Sequence, residues 1–250
     1  NFKLDVDADG IALITWDMPD RSMNVITLEL IEELGGLVDK VTNDAAIKGA
    51  VITSGKDAFC GGADLTMLEK MGGIYADKLK KEGEVAAAKF IYEESSRLSQ
   101  LYRRIEKGGK ETSAKDKGHV PGKPWVCALN GTAMGGGFEL ALACHHRVAA
   151  DNPKTRLGLP EIKIGLFPGA GGTQRVARMM QPADALQFLL KGDQLKTDRA
   201  KAMTIAQWEH LGLVRAGGKR FPNPADKAYL LAPAGAAASI TARSRASMSR

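Results

Sequence analysis

Asn130-Gly131-Thr132-Ala133-Met134-Gly135-Gly136-Gly137-Phe138-Glu139-Leu140-Ala141-Leu142-Ala143-Cys144 is the stretch that decides how the rest of the chain is read. An apolar segment, Trp125 to Leu129, enters it, three consecutive glycines follow, and a helix-like segment then opens with a single carboxylate, Glu139. The order is strand, glycine turn, helix. Such a turn aims backbone N–H groups at a point just ahead of the helix, where the macrodipole adds partial positive charge. Glycines permit positive φ and let a ligand approach the backbone, and a Cβ would obstruct both. The arrangement suits a developing anion, but it equally describes a packing turn with a solvated first-turn Glu.

The same pattern occurs on either side. Upstream, Lys48 to Thr53 reads as a short buried strand, and Ser54-Gly55-Lys56-Asp57-Ala58-Phe59-Cys60-Gly61-Gly62-Ala63-Asp64-Leu65 leads through glycines to a helix start. Downstream, Leu166-Phe167-Pro168-Gly169-Ala170-Gly171-Gly172-Thr173-Gln174 is a third glycine turn, with a helix expected from Thr173 to Met180. Residues 3–7 and 11–16 form a hairpin signal around Asp9-Gly10. Thr27 is a plausible N-cap for a helix to about Thr42, with Leu28, Ile31, Leu34, Val38 and Val41 at helical spacing. One long or two stacked helices are expected between about Ala76 and Ile105, followed by a Gly/Lys/Ser loop over 108–124. His145 to Ala150 reads as a strand, Arg156 to Gly158 as a short extended piece, and helices resume at Pro182 and over Thr197 to Met203. From Ala216 onward the chain turns Ala/Gly/Arg/Ser-rich and loses periodicity.

Composition bounds the function. With 250 residues, 44% hydrophobic and 26% charged, a full core is expected and no window approaches a membrane span. The first residues lack a charged-then-apolar signal pattern, so cytoplasm is the expected compartment. Three cysteines without CxxC spacing argue against a disulfide framework or a structural zinc site, and the adjacent His145 and His146 would point to opposite strand faces, so no metal is expected. The net charge of +6 and pI near 9.2 favour anionic partners. The basic residues are spread rather than striped, however, and the densest cluster, Lys107 to Lys117, carries acids and no aromatics. That reads against nucleic acid and fits a phosphate-bearing small ligand.

Two carboxylates suggest proton chemistry. Glu139 stands at a helix start, and Glu161 follows a Gly158-Leu159-Pro160 turn across an intervening strand. A returning strand could bring them face to face around one water, one taking its proton and the other donating to carbon. Glycine turns at 61–64 and 135–137 could each add an N–H to a single oxygen, and an oxyanion donor of this kind is worth about 2.7–4 kcal/mol. The third turn lacks the last glycine of a dinucleotide fingerprint. No Gly-x-Ser-x-Gly elbow or Walker sequence occurs, so serine hydrolysis and P-loop phosphoryl transfer have no anchor.

Taken together, Phe59 to Leu65, Asn130 to Glu139, and Gly158 to Glu161 through Pro168 to Gln174 resemble the three signature blocks of the crotonase, or enoyl-CoA hydratase, superfamily, over residues 3 to 203. The resemblance implies an α/β fold: a crotonase (ClpP-like) spiral of ββα repeats over 1–180, then a C-terminal helical and oligomerisation region over 181–250. It implies an acyl-CoA thioester substrate, with coenzyme A carried by the substrate and no separate cofactor, and a homotrimer or hexamer. On the matching positions, the amides of Ala63 and Gly136 would hold the thioester oxygen. Glu139 and Glu161 would add water across the 2,3-double bond, which glutamate serves as acid and which as base being left open. Gly61, Asp64, Gly169 and Lys56 are the substrate-binding candidates.

Met18 to Asn24, Cys144 to Ala149 and Asn152 to Glu161 resemble something narrower, the hydratase/isomerase portion of bacterial multifunctional fatty-acid oxidation α-subunits, which implies Δ3-Δ2-enoyl-CoA isomerase activity and a thiolase partner subunit as further expectations. The departures are a long 108–123 loop, Thr66 where many hydratases carry lysine, an insertion of Thr204 to His210, and the atypical tail from about 216. They keep a second reading open, a catalytically idle CoA-binding or assembly domain.

Overall fold

The computed structural model describes residues 1–109, 122–150 and 152–200, together with the backbone of 214–215 and 219–220. Most of the loop expected over 108–124, the insertion at 204–210 and nearly all of the tail from 216 lie outside the described residues.

A five-stranded sheet carries the fold. Strands β1 (Phe2–Val6) and β2 (Ile11–Trp16) form the antiparallel hairpin, and Asp7 Oδ1 closes its turn by accepting from the N–H groups of Asp9 and Ile11. Strand β2 then pairs in parallel with β3 (Gly49–Ser54), β3 with β4 (Trp125–Leu129), and β4 with β6 (His146–Ala149). A second, smaller sheet orders β5 (Ala133–Met134), β7 (Leu157–Gly158) and β8 (Gln194–Leu195). Isolated parallel bridges Ile26 to Ala63 and Cys60 to Ala133 extend this second row to the earlier turns of the chain. Each turn of the chain thus places one strand in the large sheet and one short extended piece in the second row before entering a helix. That is the ββα spiral.

The helices follow from local chemistry. Helix α1 (Leu28–Asn43) starts where the Thr27 side chain accepts from the Leu30 N–H, and it buries Leu30, Ile31, Leu34, Val38 and Val41. Helix α2 (Leu65–Glu82) is capped by Asp64, whose side chain accepts from the Met67 N–H, and runs unbroken through Gly72-Gly73. Two helices therefore occupy the region expected to hold one or two, the first beginning at the Leu65 start expected after the glycine turn and running on past Ala76. The break comes at Gly83, φ +89, before α3 (Glu84–Glu106). Helix α4 (Gly136–Ala143) is buried on every side, which is why its sequence shows no polar face. Glu161 lies in a short 3-10 turn (Pro160–Ile164), and α5 (Gly172–Met179) and α6 (Pro182–Lys191) follow. Residues 197–200 are helical as expected, and 201–203 lie outside the described residues. Strands β9 (Val214–Arg215) and β10 (Lys219–Arg220) form a small antiparallel pair.

The core joins both sheets to α1 and α4. Trp16 is fully buried between Phe2 and Phe59, with ring centroids 5.6 and 6.0 Å away. Among the described residues, no helix is long and apolar enough to cross a membrane.

Candidate active site

The second row of extended pieces delivers two glycine turns to one place. Ile26 donates to the carbonyl of Gly62, Asp64 donates to the carbonyl of Ile26, and Met134 donates to that of Cys60. Gly62 (φ +106) and Gly135 (φ +51) consequently face each other, and a Cβ on Gly135 would stand 3.6 Å from the Gly62 Cα. The neighbouring amides, Ala63 just before the cap of α2 and Gly136 at the first position of α4, donate to no group among the described residues. Both residues line a cavity of about 420 Å³. These are the free donors an oxyanion requires.

Three carboxylates line the same cavity, and two of them, Glu139 and Glu161, lie beside the glycine turns. Glu139, one turn into α4, is 2% exposed, and its Oε1 accepts from the N–H groups of Ala170 at 2.9 Å and Gly172 at 2.7 Å. Its Oε2 lies 4.0 Å from where a Cβ on Gly136 would stand. Glu161 arrives by the return of β7, which pairs in parallel with β5, so that Gly135 donates to the Gly158 carbonyl. Its Oε1 is 3.1 Å from the position of a Cβ on Gly135, and its Oε2 is buried without a partner among the described residues. Burial pushes the Glu139 carboxyl up to about 7, aided by the nearby charge of Glu161 and opposed by the N–H donors and Arg175. Burial raises Glu161 as well.

The remaining wall is mostly apolar, with Glu94 and Ser95 of α3 and Lys163 of the 3-10 turn as polar members. Leu65, Met67, Leu68 and Met71 of α2 line it with Ile26, while Leu65 and Phe167 are largely exposed at the surface. Phe138 does not join them: it lies among the buried core residues next to Glu139 on the wholly buried α4. Gly61 and Gly169 contribute backbone to the wall. Asp64 does not line the cavity; it caps α2 and pairs with Arg21 at 2.8 Å. Nor does the structure bring Lys56 there, because its ammonium pairs with Asp17 at 2.7 Å. Among the described residues, the cation that lines the cavity is Lys163.

Several supporting residues were not singled out from sequence. Asn24, fully buried, accepts from the Met18 N–H and donates to Trp16 O, Ser54 Oγ and Phe59 O, while its carbonyl accepts from Gly61. The first oxyanion turn is thereby tied to β2 and β3. Tyr102 donates from α3 to the carbonyl of Gly136 at 2.9 Å and holds the second. Arg175 donates to the carbonyl of Ala170 beneath the loop that binds Glu139. The one local signal for any of them was the placement of Asn24 at the end of the Met18 to Asn24 stretch.

A sequence profile of the enoyl-CoA hydratase/isomerase family matches residues 11–210. The chain belongs to that family. Its relatives include the fatty acid oxidation complex subunit alpha of Idiomarina loihiensis, 37% identical over 201 residues that make up 80% of this chain and 24% of that one. The same subunit of Shewanella amazonensis is 38% identical over 205 residues, 82% of this chain and 25% of that one. The chain thus spans about a quarter of the length of these curated relatives. Among solved structures, the enoyl-CoA hydratase of Bacillus anthracis superposes with a TM-score of 0.64 at 25% identity, covering 84% of this chain and 73% of that one. The crotonase fold of the enoyl-CoA hydratase/isomerase family is therefore the fold of this chain.

Proposed function

We propose that this chain adds water across the 2,3-double bond of enoyl-CoA thioesters in fatty-acid β-oxidation, and moves a Δ3 double bond to Δ2 with the same two glutamates. The observation that carries the reading is the convergence of two unpaired amides and two carboxylates of raised pKa on one apolar cavity. A cavity of about 420 Å³ falls within the range of small-molecule sites.

In this proposal the thioester oxygen sits between the Ala63 and Gly136 N–H groups, and the acyl chain lies against α2. Glu139 takes a proton from water, because two N–H donors fix its Oε1 and leave Oε2 toward the cavity. The water oxygen bonds to C3, and the π electrons move through C2 to the thioester oxygen as an enolate. The two amides stabilise that charge, each by about 2.7–4 kcal/mol. The enolate then collapses, and C2 takes the proton of Glu161, whose unpartnered buried oxygen favours the protonated acid. Isomerisation uses the same parts: a glutamate removes a proton from C2, the amides hold the dienolate, and the proton returns at C4.

Gly61 and Gly169 would contact the substrate through backbone, and coenzyme A enters as part of the substrate rather than as a cofactor. The names of the relatives support a place in fatty-acid oxidation. In the same proposal the chain works in the cytoplasm, as a trimer or hexamer or beside a thiolase subunit. Steady-state hydration of 2-enoyl-CoA substrates of increasing chain length, with Glu139→Gln and Glu161→Gln alongside, tests the proposal. Turnover by the native chain and its loss in both variants are expected. A folded protein that binds enoyl-CoA without hydrating any chain length would overturn it.

A further inference from the structure

The loop that holds Glu139 is itself held by a buried cation. Ala170 and Gly172 give their N–H groups to Glu139 Oε1. From α5, Arg175 turns back under that loop: Nη1 donates to the Ala170 carbonyl at 2.8 Å, and Nη2 pairs with Glu106 Oε2 of α3 at 3.1 Å. A Cβ on Gly171, φ +96, would stand 2.5 Å from Nη1, so the loop backbone lies directly on the guanidinium. The Arg175 side chain is 8% exposed, and its Nε is buried without a partner among the described residues. An apolar side chain of similar volume is often neutral or stabilising at such a position. Packing alone therefore gives no reason for a cation here.

The charges around Glu139 single Arg175 out. Glu161 faces it from the 3-10 turn and Arg175 from α5. Tyr102 from α3 and Cys60 beside Gly137 are held neutral by burial, the thiol pushed up to about 12. Glu94 of α3 and Lys163 of the 3-10 turn line the same cavity, and Glu94 is paired with Arg97 at 3.0 Å. Behind Arg175, Glu106 also pairs with Arg103 at 2.5 Å.

We propose that Arg175 and Glu106 are a positioning pair that sets how readily Glu139 ionises. Arg175 holds the 170–172 amides against Glu139 Oε1 and adds a positive charge nearby, and Glu106 offsets part of that charge. The proposal rests on the reading of Glu139 as the proton acceptor in hydration. The two partners act with opposite sign. Losing Arg175 loosens the N–H donors and removes a cation, so Glu139 ionises at higher pH; losing the Glu106 charge leaves Arg175 uncompensated, so Glu139 ionises at lower pH.

The test is the pH dependence of kcat/KM for hydration in the native chain, Arg175→Met, Arg175→Lys and Glu106→Gln, with side-chain carboxyl titration by 13C NMR in the same proteins and Glu139→Gln to assign the resonance. The acid limb is expected to move up by about one unit in Arg175→Met and part of the way back in Arg175→Lys. In Glu106→Gln it is expected to move down, by about half a unit. The Glu139 resonance should follow the same order. A limb and resonance that stay put, or that move the same way in Arg175→Met and Glu106→Gln, would overturn the pair. If Arg175→Met does not fold, the sign in Glu106→Gln decides alone, since that side chain keeps its shape and half-exposed setting. Should the native chain prove inactive, the hydratase reading falls while the order of the NMR titrations still decides this one.

Discussion

Glu139 and Glu161 share a cavity and a raised pKa, but they are held in different ways. Glu139 projects from a helix buried on every side, and two backbone N–H groups fix one of its oxygens. Glu161 sits in a five-residue 3-10 turn that ends at the exposed Ile164 and leads to the exposed Leu166 and Phe167, and no donor among the described residues reaches its buried Oε2. Hydrogen bonds give the first carboxylate a direction, whereas burial raises the pKa of the second with no donor among the described residues fixing that oxygen. In the proposed reaction, that difference suits the directed oxygen to aligning a water and the undirected one to delivering a proton.

That contrast can be broken at several points. Glu139→Gln should lower kcat for hydration most, by about 10³–10⁴-fold, with Glu161→Gln next at about 10²–10³-fold, because each removes a positioned proton-transfer group. Near-native circular dichroism in both variants would attribute the losses to chemistry. Gly172→Ala targets the anchor of Glu139: its Cβ would stand 2.9 Å from Glu139 Oε1, and the displacement should lower kcat/KM by about 10–10²-fold. Gly135→Ala presses on Glu161 instead and forces a non-glycine residue to φ +51, so a loss of about 1–3 kcal/mol of stability is expected in urea denaturation.

Glu139 also makes stability depend on pH. Its carboxyl rises from 4.5 in the unfolded chain to about 7 in the fold, so the folded state favours the proton. The stabilisation is fully present below about pH 4.5 and is lost as pH rises to about 7, an effect of about 3 kcal/mol. Glu139→Gln keeps an oxygen for Ala170 and Gly172 and carries no charge. It should therefore match the native chain near pH 4.5 and exceed its stability at pH 8, as read from urea midpoints at the two pH values. Lys56→Ala should have the smallest effect, under about 1 kcal/mol in stability and little change in KM for enoyl-CoA, because the lysine pairs with Asp17 outside the cavity wall.

How much could be read from the chain alone follows from the range of the interactions. The hairpin, the Thr27 cap and the three glycine turns are local, each set by a few adjacent residues, and they stand where the sequence reading placed them. The continuation of α2 through Gly72-Gly73 was missed because two adjacent glycines are poor helix formers, and the helix that runs through them lies alongside α3, a long-range neighbour. The carboxylates could be named as a pair from their motifs. Their supports could not: Tyr102 meets Gly136 across 34 residues and Arg175 meets Glu106 across 69, and no spacing rule links such positions. Lys56 failed to reach the cavity for the converse reason, since a basic residue near a glycine turn says nothing about which acid lies beside it in the fold.

The central claim is that two differently held glutamates act on a single water. The most direct measurement is the hydration rate of Glu139→Gln/Glu161→Gln beside each single variant and the native chain. Groups that act as a unit are not additive, so the double variant should lose little more than Glu139→Gln alone. Losses that multiply would contradict the claim and give the two carboxylates independent roles.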